Sequence, residues 1–555
     1  MPDDQIQFYH LKKVNAIDTC WNGSKYVFEN ITSSELIDNY EDDELSLIWS
    51  DCQWQNNQPD PKVIEAMIGH KNLENLMINY FPGASEVFRK DNLAENIRAM
   101  EDFYPGQFEG LIPKSWSLPQ EYDKFVKCVR EPFFNRRHTV ISIPNSRKNT
   151  HNDFSFNTIC PLRRLLCFTL PESGPNQSDK CQECNNNQMN YYIVKPNDEQ
   201  RGSGIYITSD PLKNLNNRSD VVVSKYIANP LLINGFKSDL RIHVLLISLD
   251  PLKIYIHKEG FLRLATEKYE KPNLYNSKNH YMHLTNVSVN QHNKEGIGRN
   301  GYKLAGQDFS VEESENSVVR SLTFFHDFLK KEGERIDTEN YAKNGSFTNL
   351  HSDLQQQVWN DIKRIVFKTI LASHQDLKTY YDADFRPTDN SDSASKAFQI
   401  LGFDIMLDDN YKPWFIEINH NPDLEDDPAL ANIYARKLVR DSLEIVYREK
   451  FIKDKSNRIL AMEKVPEEQT FSKFQDGENW FEEIDCQHFK EELVKRSDVV
   501  RQARESMTSL NSGSRKSSTR SIEALGTLVA KKPMRLENSV MKKSNSSNNL
   551  MGYRC

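Results

Sequence analysis

The stretch from Phe398 to Asn419 constrains the fold more than any other part of the chain. Two alternating apolar runs flank the polar quartet Asp408-Asp409-Asn410-Tyr411, so the segment reads as a β-hairpin with its turn there. With Asp409-Asn410 as a two-residue loop, Phe403, Ile405 and Leu407 share a core face with Trp414, Ile416 and Ile418. The opposite face then gathers Asp404, Glu417 and Asn419, with Asp404 diagonally beside Glu417. Two carboxylates crowded together repel each other unless a cation joins them. A set made of oxygens alone suits a hard cation such as Mg²⁺, which keeps waters and takes further ligands from phosphates.

A second constellation lies on Lys237-Ser238-Asp239-Leu240-Arg241-Ile242-His243. Period-two alternation places Lys237, Asp239, Arg241 and His243 on one face, while Leu240, Ile242 and Val244 enter the core. Charges at that density on one strand are costly without a ligand. Arg241 can grip phosphate oxygens in a fork, and Lys237 is a compact point charge. Upstream, Lys195-Pro196 closes a strand and leads into Gln200-Arg201-Gly202-Ser203-Gly204. Gly202 and Gly204 let backbone amides approach phosphates that Lys195 reaches from the strand. Downstream, Arg263 and His283-Leu284-Thr285-Asn286 add donors for phosphate or a substrate carboxylate.

Around these motifs the pattern is α+β. Tyr191 to Val194, Val221 to Ile227, Asp239 to Ile247, Leu252 to Ile256 and Phe261 to Ala265 read as strands, being rich in β-branched and aromatic residues. Val358, Ile362, Ile365, Val366 and Ile370 recur at helical spacing and define an amphipathic helix on the sheet. A further helix is expected from the Asp427-Pro428 start, with Leu430, Ile433, Leu438, Leu443 and Val446 as its stripe. Polar stretches at Asn145 to Asn152, Glu172 to Asn187 and Asp384 to Ser395 read as surface insertions.

With 555 residues, several packed domains are expected, and 38% hydrophobic with 27% charged residues describes a soluble globular chain. No apolar run is long enough to span a bilayer, and Met1-Pro2-Asp3-Asp4-Gln5 lacks the features of a signal peptide. Membrane insertion and nucleic-acid binding are therefore not expected, and the chain is placed in the cytoplasm. Nine cysteines scattered over this length argue against a disulfide framework. Cys160, Cys167, Cys181 and Cys184 read as reduced thiols, with a structural zinc site as the alternative. Residues 501 to 555 carry eleven basic residues against three acidic ones, so the net charge of −8 resolves into +8 on this tail and −16 on the rest. Its Ser and Asn content marks it as disordered.

These motifs resemble, in order, those of tubulin tyrosine ligase-like enzymes. The likeness is carried by Ile193-Val194-Lys195-Pro196, by Ser224-Lys225-Tyr226-Ile227 through Ile233, and by the Lys237-x-Asp239-x-Arg241 strand. It continues through Ala265-Thr266-Glu267-Lys268-Tyr269, Met282-His283-Leu284-Thr285-Asn286 and Gly402-Phe403-Asp404 to Asn419. Trp49-Ser50-Asp51 and Phe81-Pro82-Gly83 to Lys90-Asp91 are weaker echoes. The resemblance implies an ATP-grasp fold with an N-terminal α/β domain. Its implied divisions are an N-terminal domain (1–85), a central domain (86–235), a C-terminal domain with the metal hairpin (236–450), a helical extension (451–500) and the disordered basic tail (501–555).

It also implies roles. Lys90 and Lys195 reach ATP, Ser224, Lys225, Tyr226 and Ile227 border the adenine, and Gly202 and Gly204 lie at the phosphates. Asp239, Arg241, Thr285 and Asn286 match nucleotide-contacting positions, and Asp404, Glu417 and Asn419 match the magnesium ligands. The implied reaction phosphorylates a carboxylate and joins it to the amine of an amino acid, with Arg241 and Arg263 neutralising charge. Lys237, Arg263 and His283 are the candidates for holding that amino acid. Ala265 to Tyr269 with the following His-Leu-Thr-Asn stretch resembles the glutamate-adding members. Free glutamate, tubulin with its acidic C-terminal tails, a monomeric state and a cytoskeletal or ciliary location are the resulting expectations. The chain departs from the family pattern where Ser238 stands in place of the usual aromatic, where Ser224 stands in place of the common glutamine, and at His420 to Asp427, which is more acidic than the common pattern.

Overall fold

In the computed structural model, the residues described are 11–16, 22–32, 34–50, 76–134, 190–197, 202–293, 318–344, 353–385, 395–424, 431–451 and 479–511, with Val63 and Gly296. The chain divides into two units, Met1–Asp498 and Val499–Cys555, and the first is described below. The insertions at 145–152 and 172–187, the cysteines at 160, 167, 181 and 184, Gln200, Arg201, Asp51 and the expected helix start at 427–428 lie outside the described residues.

Among the described residues, three sheets carry the fold. The first is a parallel sheet ordered β2-β1-β3-β4, from β1 (Lys13–Asn15), β2 (Glu35–Leu36), β3 (Leu45–Ile48) and β4 (Met77–Ile78). The second is antiparallel and ordered β5-β8-β6-β7, from β5 (Ser115–Leu118), β6 (Tyr192–Pro196), β7 (Tyr206–Thr208) and β8 (Val221–Lys225). The third runs β12-β11-β10-β13-β14, with β9 (Leu232–Ile233) added to β10 and β15 (Phe481–Ile484) to β11. Its long members are β10 (Phe236–Leu249), β11 (Leu252–Lys268), β13 (Gln399–Leu407) and β14 (Pro413–Asn419), with the short β12 (Val319–Ser321) at one edge. The two strands expected at Leu252 to Ile256 and Phe261 to Ala265 are one continuous strand, β11, paired with β10 along its length.

Both faces of the third sheet carry buried apolar residues, and one of them also carries the charged residues of β10, β11, β13 and β14. On one side Leu240, Ile242 and Val244 of β10 and Phe403, Ile405 and Leu407 of β13 pack with α3 (Leu322–Asn344) and α4 (Leu354–Asp384). All five stripe residues of the expected amphipathic helix, Val358 to Ile370, are buried on α4. On the other side Leu245, Ile247 and Ile400 pack with Leu438, Leu443 and Val446 of α5 (Ala431–Phe451), and with Phe28 and Trp49 from the N-terminal region. The central sheet has a small core of its own, built on Trp116, Phe125, Tyr192 and Val223, with α2 (Tyr122–Phe134) against it. The described architecture is thus a mixture of helix and sheet.

Two boundaries differ from expectation. The 451–500 range is not wholly helical, since Phe481–Ile484 is a strand hydrogen-bonded to Ile254 through His257. The helix α6 (Cys486–Asn511) also runs into the tail expected to be disordered from 501.

Candidate active site

The hairpin forms where expected but with another register. Asp408 N donates to Lys412 O at 3.0 Å, so the loop holds three residues, and its last, Tyr411, has φ +60°. A turn closed by a left-handed residue is the usual three-residue solution. The added residue reverses the expected alternation: Phe415 is buried while Trp414 and Ile416 are only half-buried. A bulge then restores it. Ile405 pairs with Phe415 and Asp404 pairs with Glu417, leaving Ile416 as the extra residue. Asp404 therefore stands directly opposite Glu417 rather than diagonal to it, with Gly402 opposite Asn419. Ile418 stays on the core face and pairs with Phe403.

Neighbouring strands deliver the cations. Asp404 pairs across β13–β10 with Arg241, and Asp239 pairs across β10–β11 with Arg263. Arg241 Nε and Nη2 donate to Asp404 Oδ1 and Oδ2 at 2.5 and 3.2 Å. Arg263 forks onto Asp239 at 2.7 and 2.7 Å and also reaches Asp404 Oδ2 at 2.9 Å. Thr285 Oγ1 donates to Asp239 Oδ2 at 2.7 Å. Burial opposes the charge on Asp404, but Arg241 and Arg263 outweigh it and hold its carboxyl well below the ordinary range. Arg241 is thus a partner of Asp404 here, in addition to any role toward phosphate.

The remaining cations stand apart from this chain of pairs. Lys90 opens α1 (Lys90–Phe103) and lies 3.8 Å from Glu417. The side chain of Lys195, half-buried on β6, makes no hydrogen bond or ion pair among the described residues. Its pKa is lowered, first by burial and then by Lys90, against the pull of Glu417, Asp404 and Asp239. Glu417, Lys90, Asp404 and Asp239 thus lie within electrostatic reach of Lys195. Lys237 is buried, donates to His283 O at 2.7 Å and Tyr226 Oη at 3.1 Å, and sits 4.5 Å over the Tyr226 ring. Burial brings its pKa down to about 7.

Five cations (Lys90, Lys195, Lys237, Arg241 and Arg263) thus surround three carboxylates (Asp239, Asp404 and Glu417). The surplus is positive, as a polyanionic ligand requires. Asp404 accepts three donors, leaving one of the roughly four lone-pair sites of a carboxylate. Asn419 has a buried amide nitrogen with no hydrogen-bond partner among the described residues. Glu417 and Asn419 share the face of Asp404, so the donor set fits a hard cation. Among the described residues no three His, Cys, Asp or Glu side chains form a metal cage, so such a cation would need ligands from outside the protein.

The other expected residues are placed as follows. Ser224 bonds Ser115 Oγ at 2.8 Å, Lys225 is exposed, and Tyr226 is buried with Ile227 beside it. Ser238 lies against Leu231 O at 3.4 Å. Gly202 and Gly204 have φ of +82° and +66°. A Cβ at Gly202 would come within 2.8 Å of Val289 and 3.2 Å of Asn286, so the loop can close on Asn286 only with glycine there. His283 is fully buried, with Nδ1 at 3.1 Å from Tyr226 Oη, so it supports Tyr226 and Lys237 from behind. Burial, then Lys237, lowers its pKa to about 4, which keeps it neutral.

Sequence reasoning did not single out a cleft of about 470 Å³ beside Gly202, lined by Ser203, Lys278, His280, Tyr281 and His292. The crowding of Lys278, His280 and His283 just before Asn286 was the available signal.

A mixed helix–sheet body in which a Lys-x-Asp-x-Arg strand lies against a carboxylate hairpin defines a specific class of protein, and comparison with known sequences agrees. The chain belongs to the tubulin-tyrosine ligase family, whose profile matches residues 139–331 and 339–456, more than half of its length. It is 29% identical over 433 residues to a probable beta-tubulin polyglutamylase of Tetrahymena thermophila, covering 78% of this chain and 28% of that protein. It is 29% identical over 406 residues to tubulin polyglutamylase TTLL13 of Mus musculus, covering 73% and 38%. It is 28% identical over 439 residues to tubulin polyglutamylase TTLL7 of Xenopus tropicalis, covering 78% and 38%. The match thus spans well under half the length of these relatives.

Proposed function

We propose that this chain is an ATP- and Mg²⁺-dependent ligase of the ATP-grasp type that joins free glutamate to a glutamate side chain of tubulin. The observation that carries the reading is the juxtaposition of Asp404, Glu417 and Asn419 with Lys195, Lys90 and Arg241. The names of the relatives, tubulin polyglutamylases, support the choice of amino acid and acceptor.

In this reading Lys90 and Lys195 hold phosphate oxygens, and Tyr226 and Ile227 border the base. Asp404, Glu417 and Asn419 would hold the cation, which would supply charge neutralisation at the transferring phosphoryl group. The acceptor carboxylate takes the γ-phosphoryl group and releases ADP. The amine of glutamate then attacks the carbonyl carbon, expelling phosphate and losing a proton. Positioning and fixed charge supply most of the acceleration in chemistry of this kind. Arg263, locked to Asp239 and Asp404, keeps Asp404 ionised and oriented. Lys237 offers its ammonium to the incoming amino acid's carboxylate. We place the protein as a monomer in the cytoplasm on the cytoskeleton, including cilia and basal bodies.

Incubating the purified chain with microtubules, Mg-ATP and labelled glutamate, glycine or tyrosine tests this directly. Glutamate incorporation is expected. Incorporation of glycine alone overturns the choice of amino acid, and microtubule binding without any incorporation overturns the ligase.

A further inference from the structure

Between β11 and the helical turn His280–His283 runs a loop from Tyr269 to Asn279 that is built with unusual care. Asn273 Oδ1 accepts from the amides of Tyr275 and Asn276 at 2.8 and 3.0 Å, and Asn276 Oδ1 accepts from the Asn273 amide at 2.7 Å. Asn276 Nδ2 donates to Lys271 O at 3.1 Å, and Pro272 is buried. Its base is closed by Asn279 Nδ2 on Glu267 Oε2 at 2.6 Å and by Tyr269 Oη on Ala228 O at 2.8 Å.

This scaffold presents Leu274 and Tyr275, which are 56% and 95% exposed. Single exposed apolar side chains are ordinary, but two neighbours on a fixed loop form a contact surface. Their electrostatic setting is specific. Lys268, Lys271, Lys278 and His280 are exposed around them, with Glu270 the single acidic residue between 268 and 280. The loop is thus a basic projection on a body of net charge −16. Lys278 and His280 also line the cleft beside Gly202, so the loop joins that cleft to open surface.

We infer that the loop from Tyr269 to Asn279 is a docking arm for an acidic peptide of the acceptor protein. Leu274 and Tyr275 pack against its apolar parts, while Lys271 and Lys278 pair with its carboxylates. The inference rests on the proposed ligase reading and adds to it a surface outside the reacting groups. Electrostatic pairing at such a rim sets selectivity for acidic chains, and the apolar pair acts as the anchor.

The test uses the full chain, a labelled glutamate-rich peptide and its glutamine counterpart. Fluorescence anisotropy is expected to show binding of the first, weakened about tenfold in the Leu274→Ser/Tyr275→Ser double variant and in Lys271→Glu. In turnover, KM for the peptide is expected to rise by the same factor of about ten while kcat and KM for ATP stay unchanged. Both variants alter exposed side chains, and unchanged thermal melts check the fold. Unchanged affinity and KM in both variants, or equal binding of the glutamine peptide, overturns the docking arm. A wild-type chain that binds the glutamate-rich peptide through this loop yet modifies nothing supports the arm and removes the ligase reading alone.

Discussion

Asp404 and Glu417 face each other directly across the hairpin because two one-residue shifts compensate, one at Tyr411 and one at Ile416. Of the two carboxylates, Asp404 is committed to Arg241 and Arg263, whereas Glu417 has Lys90 at 3.8 Å and is 23% exposed. Loss of Glu417, a ligand in the proposed function, is therefore expected to cost chemistry without costing the fold. Glu417→Ala is expected to lower kcat by about a hundredfold or more while the thermal melt moves little. Glu417→Gln, the same in shape, should show a raised Mg²⁺ requirement in a titration of activity. Full activity in both would mean that the cation is held elsewhere.

Arg263 predicts the opposite balance. It is the shared partner of two buried carboxylates, and Arg263→Ala leaves Asp239 and Asp404 near each other with one cation fewer. Breaking such a buried network costs about 3–5 kcal/mol. Urea unfolding of Arg263→Ala should show this as a lower midpoint with an unchanged slope. Arg263→Lys keeps the charge but cannot make the double fork, so it should fall between the two. A wild-type midpoint for Arg263→Ala would show that the network contributes little to the fold.

The residues that could be read from alternation were those on continuous strands. Leu240, Ile242 and Val244 are buried opposite the charged face of β10, and Asp404, Glu417 and Asn419 share one face of the hairpin, as a period of two requires. The register was not legible, since a left-handed Tyr411 and a bulge at Ile416 leave no mark in an apolar pattern. The assignment of Trp414 and Ile416 to the core failed for that reason. His243 shares the charged face but ends in a hydrogen bond of 2.7 Å to Tyr434, a partner far away in sequence. The strand Phe481–Ile484 carries two glutamates among four residues and has no readable period. Its place on β11 is a tertiary fact.

Lys237 gives a pH dependence with a definite sign. Burial brings its pKa from the ordinary 10.5 to about 7, with Asp239 opposing the shift and Lys195 adding to it. The ammonium is thus present below about pH 7 and lost above it, so KM for the incoming amino acid should rise between pH 7 and 9. Lys237→Arg, which stays charged, should lower kcat yet flatten that profile. For stability, below about pH 7 folded and unfolded chains are both protonated, and the full cost of burying the charge is present. Between about 7 and 10.5 only the unfolded chain binds the proton, so this group makes stability rise with pH. Urea midpoints at pH 6, 8 and 10 for wild type and Lys237→Met check this, and parallel profiles would contradict it.

The family match ends at residue 456, but the packing of this chain does not. Trp480 N donates to Asp441 Oδ2 at 2.9 Å, and Asn479 Nδ2 donates to Asp441 O at 3.0 Å. Asp441 is fully buried on α5, with Lys437 at 3.1 Å and the His257 ring at 3.9 Å. Glu482 accepts from Trp359 Nε1 at 3.0 Å and pairs with Lys363 at 2.7 Å, fastening β15 to α4. Phe481, Ile484 and Leu493 are buried and contribute about 1.5–3 kcal/mol each. Their sum is comparable to the whole stability of an ordinary domain, about 5–15 kcal/mol. A chain ended at 456 should therefore aggregate or unfold at markedly lower urea than one ended at 511. Asp441→Ala in the full chain should destabilise by about 3–5 kcal/mol, since it removes the buried carboxylate that pairs with Lys437 and accepts from the Trp480 amide. Equal midpoints for the two chain lengths would mean that β11 and its neighbours β10 and β13 hold their fold without this strand.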